Sequence, residues 1–118
     1  MEIGNAVDRF WLVGPLEISA VEQTEFLSRL AGGKLPIIPK AVEAVKEITI
    51  QEKTASYTLH GKTGWSTATK PDIGWWVGWV ERAGKIFPFA VNLDMPSSKD
   101  AAKRIPLGRE CLKVLGKL

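Results

Sequence analysis

One cysteine, Cys111, excludes any disulfide within this 118-residue chain. It lies in the stretch GRECLKVLGKL, a short amphipathic helical pattern, and reads there as a small core residue. No apolar run reaches the roughly 20 residues needed to cross a bilayer, so no membrane partner is expected. The first ten residues, MEIGNAVDRF, lack the basic start and continuous apolar block of a secretory signal. Either the mature chain begins elsewhere or this is an internal piece with an added start methionine. Charge of one sign is also scarce: 16 basic and 13 acidic residues leave a net +3, and the two signs are interleaved. That pattern suits a solvated surface and argues against a nucleic-acid partner, which needs clustered cations. Repeats and low-complexity segments are absent.

What remains is ordinary globular composition, 45% hydrophobic and 25% charged, and a length suited to one domain of marginal stability. Residues 1–18 read as loop, broken at Gly4, Gly14 and Pro15. Ser19 with Glu22 three positions later is a capping-box start, and Gly32-Gly33 a stop, so a helix is expected between them with Val21, Phe26, Leu27 and Leu30 on one face. KAVEAVKEITI gives a second helix with Val42, Val45, Ile48 and Thr49 aligned. SYTLHGKTGW alternates like a strand, although Gly61 and Gly64 are unusual inside one. DIGWWVGWVER is an apolar strand, Ala83-Gly84 a tight turn, and KIFPFAVNLDM its antiparallel partner. A last helix runs over 97–118, with Pro106 either interrupting it or lying in the first turn of its main segment. The expectation is an α+β fold, a three-stranded antiparallel meander packed with helices in the order helix-helix-strand-strand-strand-helix. The strand at 73–82 is apolar on both faces and belongs at the sheet's centre; both edges of so small a sheet would need protection.

Four of the five tryptophans, Trp65, Trp75, Trp76 and Trp79, gather around Lys62-Thr63-Gly64. Lysine puts positive charge beside an anion or a reacting hydroxyl, and threonine offers a hydroxyl to a carboxylate. Glycine leaves the strand edge open, so a ligand could add to it like a further strand. Three residues alone would equally fit a surface lysine before a bulge. Trp75, Trp76 and Trp79 read as packing, and His60 as structural.

HGKTGW, followed by PDIGWWVGWVE and preceded some fifty residues earlier by DRFWLVGPLEISAVEQTEFLSRL, resembles the C-terminal half of a class D serine β-lactamase, the oxacillinase group. The resemblance runs from about Ile3 to the end, and implies one incomplete domain, 1–118, of the β-lactamase/transpeptidase-like fold. It implies that Lys62, Thr63 and Gly64 line the active site and that Trp65 stands at the pocket mouth. It implies that Trp11 gives its indole N–H to a carbamylated catalytic lysine, with Leu12 beside it as apolar wall. It implies that Arg104 helps hold the substrate carboxylate, a task suited to a planar two-pronged donor. Periplasmic localisation follows from the same resemblance.

The departures matter as much. Ser-x-x-Lys, the nucleophile and carbamylated base of that family, does not occur; the nearest string, Thr67-Ala68-Thr69-Lys70, lies on the wrong side of Lys-Thr-Gly. Ser19-Ala20-Val21 and Ile3-Gly4-Asn5 imitate two further family motifs whose functional copies lie upstream. Two readings of different class follow. One is a fragment of a β-lactam-hydrolysing enzyme, inactive alone because nucleophile and base are missing. The other is a stand-alone, non-catalytic module that binds a β-lactam or a complementary protein half. The expected partners are a β-lactam once the site is complete, and the missing N-terminal half or a second copy; no cofactor and no metal are expected.

Overall fold

A computed structural model describes residues 17–118. The elements are α1 (Ala20–Ala31), α2 (Pro39–Ile48), β1 (Ile50–Lys53), β2 (Thr58–Ser66), β3 (Asp72–Arg82), β4 (Lys85–Met95), a 3-10 turn (Ser98–Lys103) and α3 (Arg104–Val114). The strands form one antiparallel sheet in the order β1-β2-β3-β4.

The architecture is α+β as expected, but the sheet has four strands, not three. β1 was hidden because IQEK carries no alternating apolar pattern; its pairing comes from neighbours. Glu52 accepts from Arg109 of α3 at 2.7 Å and from the Tyr57 hydroxyl at 2.9 Å, which fastens the strand. Arg109 and Tyr57 together hold the Glu52 carboxyl below its usual range. The second helix also stops earlier than its pattern suggested. Thr49 caps it, its hydroxyl donating back to Val45 O at 2.8 Å, and Ile50 already pairs with His60.

α1 starts where the sequence placed it. Ser19 Oγ accepts from Glu22 N at 3.2 Å, and Glu22 accepts from Ser19 N at 2.9 Å. Its buried face is narrower than expected: Leu27, Leu30 and Ala31 pack inward, while Val21 and Phe26 are exposed. Ile48 of α2 is likewise exposed, leaving Val42 buried and Val45 half-buried. The C-terminal segment is not one helix. Ser97 caps a 3-10 turn, α3 begins at Arg104, and Pro106 sits in its first turn, where an N–H is not required. Cys111 is exposed and not part of the core; Gly108 and Leu112 are the buried positions of α3.

β3 is the central strand, covered on both faces. Trp79 joins Leu27, Leu30 and Val42 under α1 and α2, while Trp76 joins Leu59, Val80, Phe89 and Leu112 under α3. Both indoles are almost fully buried; removing each ring from water contributes roughly 4–6 kcal/mol at most. α3 reaches Trp76 only because Gly108 has no side chain, since a Cβ there would lie 2.3 Å from Trp76 Cε3.

The β3–β4 hairpin closes on Ala83 (φ 51°) and Gly84 (φ 71°), between the paired residues Arg82 and Lys85. Positive φ at both central positions matches the strand twist but strains the non-glycine residue. Ala83→Gly should therefore stabilise the chain by about 0.5–1 kcal/mol, seen as a higher urea midpoint at constant slope. An unchanged or lower midpoint would mean the turn is not strained at Ala83.

Candidate functional site

Lys62 and Thr63 are consecutive on a strand, so they project to opposite faces. Lys62 lies opposite Val77, on the α1 side; Thr63 lies opposite Trp76, on the α3 side. The two share an edge. Gly61 N–H donates to Thr49 O at 2.9 Å, so the odd-numbered residues of β2 turn their backbone groups toward β1. β1 pairs only with Thr58, Leu59 and His60. Beyond that point the N–H and C=O groups of Thr63 and Trp65 face outward, with no further strand among the described residues. The sequence flagged Gly64 as the opening. The structure places the outward backbone groups on its two neighbours, which no side-chain motif announces.

On the α1 side a cleft of about 220 Å³ is lined by Ile18, Gln23, Lys62, Thr63, Gly64, Trp75 and Val77. An adjoining hollow of about 250 Å³ shares Gln23, Lys62 and Val77 and continues down to Trp79. Trp75, read from sequence as packing, is half-buried and forms a wall of this cleft. Lys62 is exposed, and its Nζ donates to Thr63 O at 2.7 Å around the strand edge.

On the α3 side Arg104 reaches the same stretch of β2, over the face of the sheet. Its Nη1 donates to Gly64 O at 2.6 Å and its Nε to Ala101 O at 2.9 Å. Its guanidinium carbon lies 5.9 Å from the centre of the Trp65 ring. Trp65 is 47% exposed and donates from Nε1 to Asp72 Oδ2 at 2.9 Å. The structure thus gathers Lys62, Thr63, Gly64, Trp65 and Arg104 around one stretch of β2, with Lys62 and Arg104 on its opposite faces. Trp11 and Leu12 lie outside the described residues.

His60 anchors the strand two residues upstream. It is 3% exposed and stacks on Trp79 with ring centres 4.3 Å apart. Nδ1 lies 3.0 Å from Lys46 O, and a carbonyl can only accept, so Nδ1 carries the proton. Nε2 is buried without a hydrogen-bond partner, 3.6 Å from Glu81 Oε1. Burial pushes the imidazole pKa down; the Glu81 carboxylate and the hydrogen bond to the Lys46 carbonyl oppose this and do not overcome it, while the Lys46 ammonium adds to it. A depressed folded-state pKa means the unfolded chain binds more protons below about pH 6.5. The stability this neutral histidine contributes is intact above that pH and is lost as pH falls toward the folded-state value. Urea midpoints at pH 7.5 and 5.5 should therefore differ more for the parent chain than for His60→Phe, which keeps the stack. Equal differences would assign the pH dependence to other groups.

Among the described residues, no group of three or more His, Cys, Asp or Glu side chains could hold a metal ion, and no helix is long and apolar enough to cross a membrane.

Residues 2–113 match the model of the penicillin binding protein transpeptidase domain. The chain is 42% identical over 112 residues to β-lactamase OXA-48 of Klebsiella pneumoniae, covering 95% of this chain and 42% of that protein. It is 41% identical over 108 residues to β-lactamase OXA-10 of Pseudomonas aeruginosa, covering 89% and 39% respectively. Among solved structures, a class D β-lactamase YbXI from Nostoc superposes with a TM-score of 0.92 at 44% identity, over 99% of this chain and 50% of that one. FUS-1 (OXA-85), a class D β-lactamase of Fusobacterium nucleatum subsp. polymorphum, gives 0.91 at 47% identity, over 99% and 49%. The chain spans half or less of the length of each of these relatives.

Proposed function

This chain belongs to the penicillin binding protein transpeptidase domain family, and from that premise we propose that it supplies the Lys-Thr-Gly wall of a class D β-lactamase site. The observation that carries this is the open edge of β2 at the outward backbone of Thr63 and Trp65, flanked by Lys62 on one face of the strand and Arg104 on the other. A β-lactam laid along that edge meets backbone N–H donors for its carbonyl oxygen and a cation on either side for its carboxylate. The reaction class is acyl transfer followed by hydrolysis. With no Ser-x-x-Lys in its sequence, the chain holds no nucleophile with an adjacent base and does not turn over alone. A complementary portion of the fold provides both. β4 is an edge strand along all eleven of its residues among the described elements, and its backbone is available to pair with that portion.

A chromogenic cephalosporin tests the reading. The purified chain should give no hydrolysis above a Lys62→Ala control, and an associated mixture with the remaining part of a class D enzyme should hydrolyse it. Turnover by the chain alone, or none by a demonstrably associated mixture, would refute the proposal. In the active mixture Arg104→Ala should raise KM about 10- to 100-fold, the worth of one charge-assisted bond of roughly 1.5–3 kcal/mol. Arg104→Lys should recover part of that, because a point charge lacks the fork. Unchanged KM for a carboxylate-bearing penicillin would remove Arg104 from the site.

A further inference from the structure

We propose that Asp72 is a positioning residue: its carboxylate tethers the Trp65 indole against Arg104, and so sets how firmly the open edge of β2 holds a β-lactam carboxylate. The second half rests on the function proposed above; the tether does not.

Trp65 is a large ring left half in water, so packing alone does not hold it. Its cross-strand partner is Gly74, which offers no side chain to lean on. The indole N–H donates to Asp72 Oδ2 at 2.9 Å, and this is the polar anchor of the ring among the described residues. Asp72 is itself well placed to hold still: it is the first residue of β3, paired with Met95, and its side chain is 21% exposed. Lys70 approaches the same carboxylate at 3.6 Å, but it is 89% exposed and screened by water.

Arg104 needs the ring where Asp72 puts it. The arginine stem crosses the sheet over Gly74, where a Cβ would lie 2.8 Å from Arg104 Cδ and 2.4 Å from Met95 Sδ. The guanidinium then lies between the Gly64 carbonyl and the Trp65 ring. Two of its five N–H donors are used by Ala101 and Gly64 among the described residues, which leaves donors for an anion. An indole face beside the cation limits its swing and lowers the local dielectric, and both favour a bound carboxylate. A free aspartate so close to an anion site would only repel the ligand. Accepting the indole N–H leaves its charge in place, so what it adds to anion binding comes from placing the ring, against that repulsion.

The test uses the chain itself. In ¹⁵N-labelled protein the Trp65 indole N–H should exchange slowly, and Asp72→Ala should speed its exchange at least about tenfold without changing the backbone spectrum of β3 beyond the residues next to the substitution. Asp72→Asn, which keeps an acceptor oxygen, should exchange like the parent. Benzylpenicillin titrated into the chain should shift the Trp65 indole and Arg104 side-chain resonances. Asp72→Ala and Trp65→Phe should each weaken that binding about 3- to 10-fold, and the double variant no further than either alone. If Asp72→Ala leaves the indole exchange unchanged, or if the two substitutions weaken binding additively, the tether is overturned. If the parent binds and Asp72→Ala binds equally, the inference fails while the proposed function stands. If indole exchange responds as expected but the parent shows no shift with benzylpenicillin, the tether stands and the reading of the edge as a carboxylate site is what fails.

Discussion

Gly78→Ala is expected to abolish the native fold, although it adds one methyl group. A Cβ at this position would lie 2.0 Å from His60 O and 2.8 Å from Gly61 Cα, both backbone atoms of the paired strand. A clash with a flexible side-chain tip is relieved by rotation; a clash with the neighbouring backbone is relieved only by parting the strands. β3 cannot part from β2 at its midpoint without unstacking His60 from Trp79 and breaking the pairing that runs from Thr58 to Ser66. Overpacking typically costs about 1–3 kcal/mol, and a clash with backbone that cannot rotate away lies at or above the upper end of that range, a large share of the roughly 5–15 kcal/mol that holds a small domain. Gly64→Ala is the control on the same strand pair. Its Cβ would meet Trp75 Cβ at 3.3 Å, a contact that a few tenths of an ångström relieve. Circular dichroism and urea unfolding should find Gly64→Ala folded and Gly78→Ala unfolded or insoluble. A Gly78→Ala chain within about 1 kcal/mol of the parent would contradict the close approach of the two strands.

The contrast between these two glycines marks how far the sequence could be read. It exposed glycines inside strand patterns but could not say which one faces a backbone and which an open edge. Register decides that: Gly61 and Gly78 are cross-strand partners, and neither string reveals the pairing. The central strand was legible because apolar residues on both faces have one solution, burial between two layers. The capping box at Ser19 was legible because it is local. β1 was not, since its four residues are held by Arg109 and Tyr57 from elsewhere in the chain. Cys111, Val21, Phe26 and Ile48 were misplaced for a related reason. Helical periodicity marks a face but not its width, and here each helix buries only one to three residues. Of the residues the resemblance named, Lys62, Thr63, Gly64, Trp65 and Arg104 lie together along β2, and Trp11 and Leu12 lie outside the described residues. The open edge of β2 was not legible, because it is made of backbone, and neither was the aspartate that fixes Trp65.

In the reconstituted enzyme Lys62→Ala should lower kcat/KM about 100- to 1,000-fold while leaving the chain's stability unchanged. The two halves of that expectation have separate causes. Lys62 is exposed and its one described bond, to Thr63 O, ties it only to the next residue, so the fold does not depend on it. Surface substitutions of this sort change stability by about 0.5 kcal/mol or less. The charge, however, stands at the only edge where the cleft beside Gln23 and Trp75 meets the outward backbone of Thr63 among the described residues. On the proposed function, charge that develops on a ligand along β2 would be stabilised by that ammonium, in a site from which a docked partner half would exclude water. Losing one such preorganised donor typically costs two to three orders of magnitude. Lys62→Arg should restore the charge but not its position, because a planar fork cannot fold back to Thr63 O as a compact ammonium does. Partial recovery, well below the parent, is the expected result. If Lys62→Ala instead lowers the association of the two halves in proportion to the lost rate, the lysine holds the partner and not the substrate.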